Sequence, residues 1–155
     1  MEKAEWKIDY TIFENSYPEE YEELCRWALE ATRRAYDRYS HFSVGAAVLM
    51  NNGEVVLGSN QENEAYPSGM CAERTALFYA CSQFPEVGVK ALAIAARKDG
   101  EVLADFITPC GACRQVMAEI VRRYGQDFDV LLVGGKRSMR VKAGDLLPFV
   151  FRMGD

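Results

Sequence analysis

The chain reads as an α/β protein, a three-layer α/β/α sandwich around a mixed five-stranded sheet, to which the N-terminus can add a further strand. Three observations point there. Strand-like and helical patterns succeed one another in the order β-α-β-β-α-β-α-β-β. Two segments, VKALAIAAR and FDVLLVGG, are almost continuously apolar, as expected of central strands covered on both faces. Between SVGAAVLM and EVVLGSN sits Asn52-Gly53, the strongest short signal for a tight hairpin.

Taken in order, Trp6, Ile8, Tyr10 and Ile12 alternate with polar residues, the period of a half-buried strand. Ser16 and Glu19 have the spacing of a capping box, and Pro18 is tolerated in a first helical turn. Tyr21, Leu24, Cys25 and Ala28 then recur at helical spacing, which predicts an amphipathic helix over 17–38. The hairpin follows, then a helix over 71–83 stopped near Pro85. After VKALAIAAR the Asp99-Gly100 turn leads to a short strand. A helix over 110–124 ends at Gly125. FDVLLVGG and the weaker SMRVK are strands, and AGDLLPF is a short helix before the tail. No repeat, linker or low-complexity stretch divides the chain, so residues 1–155 are expected to form one domain, with 1–15 as an N-terminal extension.

Composition narrows the functional classes. At 155 residues and 49% hydrophobic content the chain can bury a substantial core, and no 18-residue apolar run is available to span a membrane. MEKAEWKIDY is not the beginning of a secretory signal. Five cysteines, an odd number, argue for free thiols in a reducing cytoplasm over a disulfide framework. The net charge is −5 and the basic pairs Arg33-Arg34, Arg122-Arg123 and Lys136-Arg137 are scattered, which argues against a nucleic-acid partner.

The chemistry is concentrated in MCAERTAL and TPCGACRQ. Cys71 would stand at the start of one helix, and Cys110 and Cys113, spaced C-x-x-C, at the start of another. Helix N-termini favour thiolates, and three thiolates suit a tetrahedral zinc ion. A fourth protein ligand is hard to find. Cys81 lies roughly 15 Å beyond Cys71 along its helix, Cys25 sits on an apolar stripe, and His41, the single histidine, reads as a loop residue. An open fourth position points to catalysis. Glu73, in the first turn after Cys71, is placed to take and return a proton; alone it would read as a residue complementing the helix dipole. Arg74 can offset the surplus negative charge of the thiolates and keep the metal Lewis-acidic.

The combination C-x-E with P-C-x-x-C some forty residues on matches the zinc deaminase signature, with cysteine in place of the first histidine. Through YSHFSVGAAV, GSNQENEAYPSGMCAERTAL, TPCGACRQVM and, more loosely, DLLPFVF, the chain closely resembles the cytidine deaminase family, the small homotetrameric kind with a three-cysteine zinc site. The resemblance covers about residues 17–151. It implies one Zn²⁺ per chain on Cys71, Cys110 and Cys113, with Glu73 as proton carrier and Arg74 beside the thiolates. It further implies a nucleoside substrate, cytidine or 2′-deoxycytidine, deaminated at C4. Asn60 and Glu62 match the pair that hydrogen-bonds the sugar hydroxyls; Phe42 and Tyr66 fall at the substrate pocket, and Phe151 matches an aromatic that reaches the base from a neighbouring subunit. The implied assembly is a homotetramer with shared active sites. Glu64 departs from the family, which usually has a small residue there.

Three other readings remain at this stage. They are a blasticidin S-type or nucleic-acid-editing deaminase, a non-catalytic structural zinc module, and a C-x-x-C redox protein. The N-x-E-N stretch favours a free sugar, a structural module would need a fourth ligand, and a redox dithiol leaves Cys71 and Glu73 without a role.

Overall fold

A computed structural model describes residues 1–154. Ten regular elements follow one another: β1 (Tyr10–Glu14), α1 (Glu22–Ala31), β2 (Phe42–Met50), β3 (Val55–Ser59), α2 (Ala72–Gln83), β4 (Val89–Lys98), β5 (Glu101–Val102), α3 (Gly111–Tyr124), β6 (Asp129–Val133) and β7 (Arg137–Lys142). Short 3₁₀ turns flank α1, precede α2 and follow β7. The sheet runs β1-β7-β6-β4-β2-β3, with β5 paired to β4. Only β4 and β6 are parallel neighbours, so the sheet is mixed, as expected.

The sheet has seven strands, not five. One addition is the N-terminal strand, which pairs antiparallel with β7 from Tyr10↔Val141 to Glu14↔Arg137. It begins four residues later than the alternation from Trp6 suggested. β7 ends at Lys142, which in this register lies opposite Asp9, and the chain then enters a 3₁₀ turn, so residues before Asp9 have no strand to pair with, and Trp6 and Ile8 stay exposed. The other addition is the two-residue β5, folded back on β4 by the Asp99-Gly100 turn, where both residues have positive φ.

The first helix, Glu22–Ala31, is shorter than the expected 17–38. Its regular part ends at Ala31, where Thr32 bonds back to the Leu29 carbonyl and receives Arg97 Nε at 2.7 Å. The Ser16–Glu19 capping box does not form: the helix entry carries no side-chain cap. α2 and α3 fall within a residue of their expected limits, and Gly125 closes α3 in the left-handed conformation (φ 62°).

The two faces of the sheet differ in side-chain size, and that sets the layers. Along β4, Leu92, Ile94 and Ala96 point towards α2 and α3, while Ala91, Ala93 and Ala95 point towards α1. This alanine-lined face lets α1 approach until its backbone meets the sheet. A Cβ on Gly45 would collide with the carbonyl oxygen of Ala28 and the amide of Thr32, neither of which can move alone. Gly45→Ala is therefore expected to cost about 3 kcal/mol, a fall in Tm of roughly 6–12 °C. Thermal unfolding followed by circular dichroism checks this, and an unchanged Tm would show that α1 can slide away freely.

Topology explains why two helix N-termini meet. β3 and β4 are both antiparallel to β2, hence parallel to each other, and β4 is parallel to β6. α2 and α3 are the two crossovers between these parallel strands, and both steps run the same way across the sheet. Right-handed crossovers in one direction lie on one face, and each helix starts from the carboxyl end of the strand before it. The starts of α2 and α3 are thus brought to one edge of the molecule, where open α/β sheets bind ligands.

Candidate active site

Cys71 and Cys110 occupy equivalent places, each with extended backbone immediately before the first residue of its helix. Each carbonyl accepts the first helical hydrogen bond, from Thr75 and from Arg114, at 3.0 Å. Cys113 lies one turn inside α3 and is fully buried. The three Sγ atoms lie within 4.8 Å of one another, with Cys71–Cys110 at 3.9 Å and Cys110–Cys113 at 3.5 Å. Thiolates around a tetrahedral zinc ion, at Zn–S of about 2.3 Å, stand about 3.8 Å apart. The donor set and its spacing therefore fit zinc. Among the described residues no fourth ligand atom joins the group: Cys25 and Cys81 are packed in the cores on opposite faces of the sheet. His41 stands in the loop before β2, with its backbone bonded to Asp37 and Asp99.

The thiols are not equivalent. A hydrogen bond with Cys113, reinforced by Arg74, outweighs burial and pulls the Cys71 thiol down to about 5. The Cys113 thiol, facing that sulfur from a buried position, is pushed up. Arg74 Nη2 reaches Cys71 Sγ at 3.4 Å, and the thiolate raises the guanidinium pKa in return. Among the described residues Arg74 Nε is buried without a hydrogen-bond partner. Glu73, one position earlier, is 4% exposed, and burial raises its pKa above the usual carboxylate range.

Comparison with known proteins agrees with this geometry. Residues 18–124 match the family model described as the cytidine and deoxycytidylate deaminase zinc-binding region. The chain belongs to this deaminase family. A cytidine deaminase of Halalkalibacterium halodurans is 48% identical over 132 residues, spanning 85% of this chain and 94% of that protein. One from Mycobacterium tuberculosis is 38% identical over 128 residues, 83% of this chain and 86% of its own. Among solved structures, a cytidine deaminase from Burkholderia pseudomallei superposes with a TM-score of 0.71 at 39% identity, over 83% of this chain and 97% of that one. For this family member, the zinc-binding region and the Cys71, Cys110 and Cys113 cluster fit one Zn²⁺ per chain.

The remaining expected site residues fall into two groups. Phe42, half-buried, opens β2 and packs against the α2–α3 core. Asn60 follows β3, and its amide is used within the chain: Oδ1 accepts from Val44 N at 2.7 Å and Nδ2 donates to the Phe42 carbonyl at 2.8 Å. Glu62 is held by Ser40, whose hydroxyl donates to its carboxylate at 2.8 Å. Tyr66 and Phe151 are different. They are 92% and 72% exposed, and the Phe151 carbonyl accepts from Gln115 Nε2 at 3.3 Å.

One residue of TPCGACRQ to which the sequence reading gave no role proves structural. Arg114 Nε donates to the Pro109 carbonyl at 2.8 Å and Nη1 to the Leu146 carbonyl at 3.1 Å, tying the cysteine loop to the C-terminal segment. Its position beside Cys113 was visible in the sequence, but its partner 32 residues away was not.

Proposed function

We propose that this chain, as a single domain, deaminates cytidine and 2′-deoxycytidine by hydrolysis, giving the uracil nucleoside and ammonia. The observation that carries the reading is the buried Glu73 beside three thiols gathered from two helix N-termini. The names of the relatives, cytidine deaminases in each case quoted above, support the substrate.

Cys71, Cys110 and Cys113 would hold the zinc ion, which when bound would supply the Lewis acidity for activating water at neutral pH. Glu73 would accept one proton from the attacking water and deliver it to N3 of the cytosine ring, then take the second proton from the hydroxyl now on C4 and give it to the C4 amino group, which leaves as ammonia. Arg74 steadies the Cys71 thiolate. Asn60 and Glu62 address the sugar, Glu62 through its carboxylate. Phe42 and Tyr66 line the pocket. A structural zinc module would need a fourth protein ligand, and the group holds three.

Phe151 is read as acting in a neighbouring subunit of a homotetramer. In support, Tyr66, Phe78, Tyr79, Phe149 and Phe151 are all more than half exposed, an apolar surface that assembly would cover. The five free cysteines fit a cytoplasmic setting, and among the described residues no helix is long and apolar enough to cross a membrane.

The direct test is incubation of zinc-loaded protein with each nucleoside while the cytosine absorbance is followed. Loss of that band with release of one ammonia per nucleoside is expected, and no turnover of either would overturn the reading. Arg74→Gln is expected to keep the fold and lower kcat by about 10- to 100-fold, because the Cys71 thiolate loses its charged donor. Unchanged kcat at full zinc content would remove Arg74 from the machinery.

A further inference from the structure

The loop between α1 and β2 makes a set of contacts that the deaminase chemistry does not by itself require. Ser40 gives Glu62 both of its donors: its backbone N–H lies 3.1 Å from Oε1 and 3.3 Å from Oε2, and its hydroxyl 2.8 Å from Oε1. The same hydroxyl accepts the Phe42 amide at 3.0 Å, so its proton is directed at the carboxylate. From the other side, Lys98 Nζ at the end of β4 bonds the Ser40 carbonyl at 2.8 Å. The next residue, His41, has a left-handed backbone (φ 55°), held by its amide on the Asp37 carbonyl and its carbonyl on the Asp99 amide. A non-glycine residue in that conformation is retained where its surroundings over-determine it. Here it turns the Ser40 amide and hydroxyl towards one carboxylate.

We propose that Ser40 is a positioning residue for sugar recognition, locking the Glu62 carboxylate mainly through Oε1 and leaving Oε2, which only the longer 3.3 Å amide contact reaches, with a lone pair to accept from a sugar hydroxyl, while Lys98 holds Ser40 in register. The proposal rests on the reading of Glu62 as the sugar contact given above. An unclamped glutamate has several rotamers, and ordering it would be charged against nucleoside binding; the clamp removes that cost before the substrate arrives. The effect belongs to the sugar half of the substrate and leaves the cytosine ring and the cysteines untouched.

The test compares kcat/KM for cytidine with that for 2′,3′-dideoxycytidine, which presents the same base without the two ring hydroxyls, in zinc-loaded protein. Ser40→Ala is expected to lower the cytidine-to-dideoxycytidine ratio by about three- to tenfold, mainly through a higher KM for cytidine, since the Glu62 side chain must then be ordered on binding. Ser40→Thr, which keeps the hydroxyl, restores the ratio. A purely structural serine would lower both substrates together and leave the ratio where it was. Glu62→Gln, measured in parallel, separates the two layers. If Glu62→Gln lowers the ratio and Ser40→Ala does not, the positioning role is overturned while the sugar contact stands. If neither lowers it, the sugar contact falls and the proposal with it. Should Ser40→Ala fail to fold, Lys98→Met decides: it withdraws the support from the opposite side, and the ratio should fall in the same direction, an unchanged ratio overturning the clamp.

Discussion

Glu73→Gln is expected to abolish most turnover, lowering kcat by at least about 10²–10⁴ while zinc and nucleoside still bind. The amide has nearly the shape of the carboxylate, and Glu73 is 4% exposed on the first turn of α2, so the substitution leaves no cavity and no stranded charge. What it removes is the ability to accept a proton and release it at a second position. A group doing so near neutral pH works best when its pKa is raised from the ordinary carboxylate value, and burial acts on Glu73 in that direction. Steady-state kinetics beside zinc analysis separates this loss from loss of metal. If Glu73→Gln retains wild-type kcat, another group carries the proton.

The second large effect is on the metal. Cys110→Ser should bind zinc about 10²–10⁴-fold more weakly: if the apparent binding free energy of a thiolate-rich site, about 10–16 kcal/mol, is spread over three ligands, each contributes roughly 3–5 kcal/mol. A serine hydroxyl stays protonated at neutral pH and is a poor ligand for a thiolate-preferring ion. Cys110 is the most informative of the three because it is exposed whereas Cys113 is fully buried, so its replacement tests ligation with little disturbance of packing. Elemental analysis after dialysis against a weak chelator should find well under one zinc per chain, with activity lost in proportion. Full retention of zinc would exclude Cys110 from the ligand set.

Much of the site was legible because its pieces are local. A helix start is written in a few residues, and C-x-E and P-C-x-x-C each place their thiols at such a start. Buried strands declare themselves by unbroken apolar runs, and β4 and β6 lie where VKALAIAAR and FDVLLVGG predicted. The misjudged elements were those whose limits depend on partners distant in sequence. β1 does not reach back to Trp6 because β7 offers no residue beyond Lys142, whatever the alternation from Trp6 suggests. The expected helix over 17–38 likewise runs past Ala31, but Arg97, 65 residues away, meets Thr32 where the regular helix stops.

What the sequence by itself determined, then, is the composition of the candidate site: three thiols, a glutamate and an arginine, each in the first turn of a helix or just before it, on a chain whose strand order permits a mixed sheet. Only the tertiary structure decided how these groups meet. The parallel relation of β3, β4 and β6 puts both crossover helices on one face and brings Cys71 within 3.9 Å of Cys110 across 39 residues. An alanine-lined surface lets α1 close the opposite face, and a strained turn at His41 sets Ser40 against Glu62 across 22 residues. The physical reason is the range of the forces involved. Helix starts and apolar periods are set by neighbours a few positions away, whereas ligand convergence and a clamped carboxylate need pairings that exist only once the sheet has closed its long loops.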